Sequence, residues 1–184
     1  MTKQSIFFTL VFVILVSSVR LPAQQTRREV AHPSAADSKP NSSEVPDGYA
    51  INTHFTRVVV LRFKYDTDLL AGLKKMVEQE KIKNAVILAG IGSVRNYQVH
   101  QVGNRNFPLK DVFVKNPTGP ADIISMNGYV INGRVHPHIT MARPEGAFGG
   151  HLEAGTTVYT FAVVTLGVLE DNADLSKVDD WSYR

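Results

Sequence analysis

The 184-residue sequence contains no cysteine. Disulfides, a cysteine nucleophile and thiolate metal ligands are therefore excluded, and any metal must be held by histidine, aspartate or glutamate. The sequence also lacks a phosphate-binding glycine loop, a nucleophile-elbow serine and a His-Glu-x-x-His motif. The reactions that depend on those three motifs are accordingly not indicated.

A basic excess is almost absent once the first 23 residues are set aside. The whole chain has 20 Lys+Arg and 17 Asp+Glu, and Lys3 and Arg20 are the only charged side chains of residues 1–23. The remaining 18 basic and 17 acidic side chains leave a net charge of +1. A near-neutral domain lacks the basic surplus expected of a nucleic-acid-binding protein.

Residues 1–23 are predicted to be an export signal. Lys3 precedes an apolar run from Ile6 to Val16, and Ala23 offers a small residue at the cleavage position. The run is shorter than the roughly 20 residues that a membrane span needs, so a cleaved signal is favoured over an uncleaved anchor. We expect a periplasmic or secreted protein with no stable membrane insertion after the signal is removed.

The rest of the chain divides by composition into three parts. Residues 24–48 contain three prolines and few large apolar side chains, a composition typical of a disordered linker. Residues 49–172 are predicted to form the folded domain, and residues 173–184 a polar C-terminal tail. Trp181 is the only tryptophan, and it could pack this tail onto the domain or onto a neighbouring subunit.

The domain is predicted to be α+β, with one main helix and about seven strands in a mostly antiparallel sheet. Thr67 and Asp68 can cap the helix, in which apolar residues from Leu69 to Ile82 follow the helical period. Runs typical of strands occupy 54–65, 84–94, 96–103, 109–115, 122–131 and 156–170, together with a histidine-rich hairpin between the last two.

This hairpin contains three of the six histidines, His136, His138 and His151. Alternate residues of a strand share a face, so His136 and His138 point the same way. The run from Arg143 to Gly146 is typical of a tight turn, and if it closes there, His138 lies directly opposite His151. A one-residue slip, which Gly149-Gly150 could cause as a bulge, would turn His151 to the other face.

Acidic and basic neighbours supply candidates for chemistry. Glu153 follows His151 by two residues and is the first candidate for a general base. Glu145 and Arg143 lie in the predicted turn, where the first could act as a base and the second could hold a substrate carboxylate. All three also suit a solvated position. His100 is a possible extra ligand, although a histidine in such a strand is more often a surface or core residue.

Several segments follow one another in a recognisable order. VVVLRF precedes a helix that begins at Asp68, and AGIGSV, ISMNGYV, HPHITMARPEGAFGGHLEAGTTVYT and AVVTLGVLE come after it. This order resembles the PPC (plants and prokaryotes conserved) domain over about Phe55 to Glu170. The family's fold looks like that of acetolactate decarboxylase, a zinc enzyme with a three-histidine site.

The resemblance implies a homotrimer and a metal site, typically zinc, at His136, His138 and His151. Three neutral imidazoles suit zinc and leave a fourth position for water or a small ligand, and other divalent transition metals also accept imidazole. Plant members of the family bind DNA through an AT-hook with a Gly-Arg-Pro core. This chain has Ala142-Arg143-Pro144 without basic flanks, so it departs from that pattern.

Three functions remain open at this point, and the sequence does not decide whether the protein is an enzyme. The first is an exported PPC-domain protein that binds a small ligand at a zinc site. The second is a metal-dependent lyase or hydrolase acting on a small carbonyl acid or ester. The third is a structural trimer in which the histidines matter little. A DNA-binding function is disfavoured by the signal sequence and the missing AT-hook.

Overall fold

The computed structural model describes residues 24–33 and 41–184. The predicted export signal lies outside these residues. The described elements are β1 (Thr26–His32), β2 (Phe55–Lys64), α1 (Leu69–Gln79), β3 (Ala85–Val102), β4 (Leu109–Asn116), β5 (Ala121–Ile131), β6 (Arg134–Arg143), β7 (Gly146–Leu152) and β8 (Thr157–Leu169). No helix within the two described ranges has the length and hydrophobicity needed to cross a bilayer.

The eight strands form one antiparallel sheet in the order β1-β4-β3-β5-β6-β7, and β8 pairs with both β2 and β3. In addition β7 returns to the C-terminal half of β3, where Val99 pairs with Leu152 and His100 with His151. The strands β3, β5, β6 and β7 therefore close on themselves. The predicted α+β class with one helix and a mostly antiparallel sheet is confirmed, with eight strands rather than about seven.

Strand β1 lies inside segment 24–48, so the prediction of a linker was wrong for Thr26–His32. The strand pairs with β4 from Thr26 opposite Lys115 to His32 opposite Leu109. Its side chains are exposed apart from the half-buried Val30. The composition of a segment indicates how much apolar surface it can bury. This strand is held mainly by backbone hydrogen bonds to the edge strand β4, and those bonds do not depend on which side chains are present.

A single long strand, β3, replaces the two strands predicted over 84–94 and 96–103. Its pairing with β8 shifts register between Gly92 and Val94 and again before Asn96. The sequence pattern changes from mostly apolar to alternating at the same place as these irregularities. The length of β3 allows its two halves to pair with different strands, which brings β7 beside His100.

The helix covers one face of the sheet and leaves the other open. Asp68 caps it as predicted, since its Oδ1 accepts a hydrogen bond from the Ala71 amide at 2.9 Å. Leu69 and Leu73 of α1 are fully buried in one cluster with Val135 and Ile139 of β6. Because side chains alternate along β6, His136 and His138 lie on the face opposite to Val135 and Ile139 and point away from the helix.

Candidate metal centre

Four histidines meet on the open face of the sheet. His138 lies directly opposite His151 in the β6–β7 pair, and His151 lies directly opposite His100 in the β3–β7 pair. The ring centroid of His151 is 4.9 Å from that of His136, 5.6 Å from that of His138 and 4.6 Å from that of His100. The register predicted for the hairpin, with residues 143 and 146 closing the turn, is therefore present.

Gly149 and Gly150 do not form a bulge, because the β6–β7 register runs without a shift from His138–His151 to Arg143–Gly146. Each glycine instead permits a close approach. A Cβ on Gly149 would collide with the carbonyl oxygen of Ile139 in β6, and a Cβ on Gly150 with that of His100 in β3. The two glycines thus let β7 fit between its two neighbours and keep His151 on the open face.

Two imidazoles are spaced as ligands of one ion would be. The Nε2 atoms of His136 and His138 lie 3.2 Å apart. Two nitrogens bound tetrahedrally to zinc at 2.0–2.1 Å are separated by about 3.3 Å. A separation of this size fits either a hydrogen bond between the two rings or a shared cation.

Carboxylates orient two of these imidazoles from the opposite side. Asp179 Oδ1 lies 2.9 Å from Nδ1 of His136, and Glu153 Oε1 lies 3.1 Å from Nδ1 of His151. A neutral imidazole that donates from Nδ1 has a bare Nε2. Carboxylates in this position fix the tautomer and raise ligand basicity at metal-binding histidines. A bare Nε2 on His136, beside that of His138, fits a cation held by these two atoms.

The protonation equilibria also favour neutral ligands. Burial lowers the pKa of His138 below its usual value, and the nearby His136 and His100 lower it further. Burial likewise lowers the pKa of His151, with the same two neighbours adding to the effect and Glu153 opposing it. Both side chains consequently resist protonation, and a neutral imidazole is the form that binds a metal.

A second set of three donors shares His151. His100, His151 and Glu153 each offer an atom, and these atoms lie within 4.8 Å of one another. Glu153 Oε1 is 2.7 Å from Nδ1 of His100 and 3.1 Å from Nδ1 of His151. Distances this short are those of N–H donors to a carboxylate. Glu153 therefore contacts both imidazoles on the side of their Nδ1 atoms.

His100 belongs to the cluster as one of the three groups of this second set. Its Nε2 lies 3.8 Å from Asp111 Oδ2, which in turn lies 3.1 Å from Nε2 of His32 in β1. The only sequence signal for this placement was the alternation in 96–103. The pairing that matters joins β3 to β7, two strands that are not consecutive, and no local pattern encodes it.

The three candidates for catalytic roles separate in space. Glu153 lies in the cluster, where it contacts both His100 and His151. Arg143 and Glu145 lie at the β6–β7 turn and pair with each other at 3.4 Å. Five residues of extended strand, about 17 Å, separate Arg143 from His138. Of the three candidates, the structure therefore places only Glu153 beside the histidines.

Comparison with known proteins gives the family of this domain. The model of the Plants and Prokaryotes Conserved (PCC) domain, the PPC domain under another abbreviation, matches residues 51–170. The chain belongs to this family, as the order of its segments predicted. No curated protein matches the sequence significantly.

Solved structures of low sequence identity share the fold. A metal-containing protein from Archaeoglobus fulgidus is 21% identical with a TM-score of 0.58, over 68% of this chain and 89% of that one. A plant- and prokaryote-conserved protein from Pyrococcus horikoshii is 23% identical with a TM-score of 0.55, over 68% and 87%. A candidate DNA-binding protein from Bacteroides thetaiotaomicron is 17% identical with a TM-score of 0.51, over 63% and 83%.

Proposed function

We propose that this protein is an exported, trimeric PCC-domain protein that holds zinc through His136, His138 and His151 and binds a small ligand there. The 3.2 Å separation of the two Nε2 atoms carries the metal assignment. The carboxylates of Asp179 and Glu153 behind two of the rings support it. The similar protein from Archaeoglobus fulgidus is described as metal-containing, which agrees with the proposal.

Zinc held by three imidazoles keeps a fourth position for a ligand and can lower the pKa of a bound water to about 7. The protein's own part is to hold the three rings neutral and oriented. Asp179 and Glu153 accept the Nδ1 protons of His136 and His151. Within residues 24–33 and 41–184 no carboxylate pairs with His138, and its pKa is lowered chiefly by burial.

The metal content of the purified protein tests this assignment. We expect close to one zinc per chain by elemental analysis, and its loss in the double variant His136→Ala, His138→Ala. His54→Ala is a matched control, because His54 is a largely exposed histidine that pairs with Glu170 outside the cluster. If the double variant keeps its full metal content, the three-histidine assignment is wrong.

The proposed trimer is supported by the exposed apolar side chains on the face that α1 leaves open. Val60 is 66% exposed and Ile91 55% exposed, and Val58, Ile124 and Phe161 add to the same surface. Val60 and Ala89 both pair with Thr165, so β2, β8 and β3 present their outward side chains together. An exposed apolar surface of this kind is typical of a contact with another protein surface, and here we assign it to a second copy of the chain.

Export rests on residues 1–23 and is tested by the mature N-terminus. Expression in a Gram-negative host followed by fractionation and N-terminal sequencing should yield a periplasmic or secreted protein beginning at Gln24. A cytoplasmic product that retains Met1 would contradict the assignment.

A metal-dependent lyase or hydrolase acting on a small carbonyl acid or ester is the second candidate function. One observation favours it, namely that Glu153, the first candidate for a general base, lies in the histidine cluster. Because Glu153 contacts the Nδ1 side of His151, it would have to reach a metal-bound water through a further water. The likeness to the acetolactate decarboxylase fold is an analogy at the level of fold and assigns no reaction. Small esters and 2-oxo or 3-oxo acids should be assayed with and without a chelator. Chelator-sensitive turnover would favour the enzyme, and its absence the binding protein.

DNA binding is the least supported alternative. The name of the similar protein from Bacteroides thetaiotaomicron suggests it, but residues 24–184 have a net charge of only +1. A genuine DNA-binding protein loses affinity steeply with added salt, because phosphate contacts release counterions. We expect no retardation of duplex DNA that responds to salt in this way.

A further inference from the structure

A cavity of about 570 Å³ lies beside the histidine cluster, between the sheet and the C-terminal tail. His136 and His138 line it, with Val86 and Tyr129 on the sheet side and Val178 and Asp179 on the tail side. Its volume lies within the range of 300–1,000 Å³ that is typical of small-molecule sites. A molecule in this cavity would contact two of the three proposed metal ligands.

The wall of this cavity is apolar, and no lysine or arginine is found among its described lining residues. An anionic body would gain no ion pair there and would meet the carboxylate of Asp179, which is already paired with Arg134 at 2.9 Å. Polar anchoring is concentrated at one end, at the two imidazoles. The wall therefore favours an uncharged apolar body joined to one group that binds the metal.

A second cavity of about 910 Å³ adjoins the first and shares Val86, Tyr129 and Val178 with it. Its lining adds the aromatic side chains of Tyr49, Phe55 and Tyr183, together with the charged side chains of Asp47, Lys177 and Asp180. Aromatic walls of this kind suit flat ring systems, which they contact by stacked or edge-on packing. The two cavities together lead from the histidines to an aromatic region.

The tail that forms this wall is anchored to the domain. Leu175 is 5% exposed and packs with Ile131 and Leu169. The side-chain amide of Asn84 donates a hydrogen bond to the Ala173 carbonyl at 2.9 Å. Asp179 pairs with Arg134 and His136. The tail lies beyond residue 170, where the match to the family ends. This wall is therefore a feature of the chain that the family match does not supply.

We propose that the two cavities form one binding site for a small molecule with a flat aromatic body and a single oxygen-donor group that reaches the metal. This proposal rests on the zinc site proposed above and specifies its ligand. The tail contributes Val178 to the wall shared by both cavities, and Tyr129 contributes the facing surface from β5. The aromatic body lies against these two side chains while the donor group meets the ion.

Two probes with the same metal-binding group test the site. Acetohydroxamate and benzohydroxamate differ only in a methyl group against a phenyl ring, and both are titrated calorimetrically into the full, zinc-loaded protein. We expect benzohydroxamate to bind at least about tenfold more tightly, because its ring buries apolar surface that the methyl group does not. The zinc content is measured again after each titration.

Two variants test which side chains cause the preference for benzohydroxamate. Tyr129→Ser and, separately, Val178→Asp should reduce the preference for benzohydroxamate to less than about twofold while the zinc content stays near one per chain. Val102→Asp is the control, because Val102 is an exposed valine at the far end of β3 that lines neither cavity, and it should keep the full preference. If Val178→Asp releases the tail, Tyr129→Ser alone tests the ligand site, because it leaves the tail intact.

The outcomes separate the two proposals. A zinc-loaded protein that binds both probes equally overturns the ligand site and leaves the metal site standing. A preference that survives in Tyr129→Ser also overturns the ligand site, because the ring must then lie elsewhere. A protein that binds no zinc overturns the metal site and, with it, the ligand site that depends on it.

Discussion

Asp179 Oδ1 lies 2.9 Å from Nδ1 of His136, so a residue of the C-terminal tail orients a proposed metal ligand of strand β6. The second oxygen of the same carboxylate is bound by Arg134 at 2.9 Å. Asp179 thus pairs with two residues of β6, Arg134 and His136, which lie on the same face of that strand. The tail therefore helps to orient the side chains of the proposed site.

Removing the charge of Asp179 should weaken metal binding. In Asp179→Asn the acceptor for the His136 Nδ1 proton loses its charge, and we expect zinc affinity to fall about 10–100-fold, as for outer carboxylates of other zinc sites. Competition with a chromophoric chelator measures the affinity. Asp180→Asn is the control, since Asp180 accepts hydrogen bonds from Ser182 of the tail. Equal affinities in both variants would remove Asp179 from the site.

Glu153 and Glu145 provide a second matched pair. Glu153→Gln should lower zinc affinity by about 10–100-fold, because Glu153 accepts from both His100 and His151. Glu145→Gln should leave the affinity unchanged, because Glu145 is an exposed turn residue that pairs only weakly with Arg143. The same chelator competition measures both. An effect of Glu145→Gln as large as that of Glu153→Gln would contradict the placement of the site.

The stability of the metal-free protein should depend on pH through His138 and His151. Their pKa values lie below the usual 6.5 in the folded protein, chiefly because of burial. The unfolded chain therefore binds more protons as the pH falls below about 6.5. The stability that the neutral histidines provide is complete above that pH and is lost as the pH falls through their lower folded values. Denaturant unfolding after chelator treatment measures this, and the double variant His138→Gln, His151→Gln should show a flatter dependence.

Gly150 is predicted to be intolerant of a side chain. A Cβ there would collide with the carbonyl oxygen of His100, so Gly150→Ala must push β7 away from β3. We expect the free energy of unfolding to fall by about 2 kcal/mol, within the usual range for strained substitutions. Gly48→Ala is the control, because no atom lies within 4 Å of a Cβ built there. A thermal or denaturant melt that shows equal, small effects would rule out the close approach.

The exposed apolar surface can be tested through the oligomeric state. Val60→Asp places a charge on a side chain that is 66% exposed in one chain, and we expect it to convert trimer to monomer, because a buried unpaired charge is costly. Light scattering after gel filtration measures the mass. Val102→Asp, at a valine that is 68% exposed at the other end of β3, should remain trimeric. A wild-type protein that is monomeric at micromolar concentration would contradict the proposed assembly.

What the sequence predicts well is what neighbouring residues determine. The turn from Arg143 to Gly146 specifies the β6–β7 register, so the pairing of His138 with His151 follows from local chemistry. Asp68 as a helix cap is equally local, since its partner is the Ala71 amide three residues away. In each case one short segment contains all the information needed.

What the sequence does not predict depends on contacts between distant segments. The role of His100 follows from the β3–β7 pairing, and that of Asp179 from the return of the tail to β6. Strand β1 forms because the edge of β4 is available, although its own side chains are nearly all exposed. Tertiary placement decides all three, and the local pattern of one sequence carries no record of it.

The double pairing of β7 restricts where this chain can change in length. Because His138 and His100 both pair with His151, one inserted residue within Gly146–Leu152 would exchange the faces of every side chain beyond it and remove His151 from both neighbours. Residues inserted in the loop between β3 and β4 would leave both registers intact. The site therefore tolerates insertions in the loops, but it does not tolerate them in β7, the shortest strand of the histidine cluster.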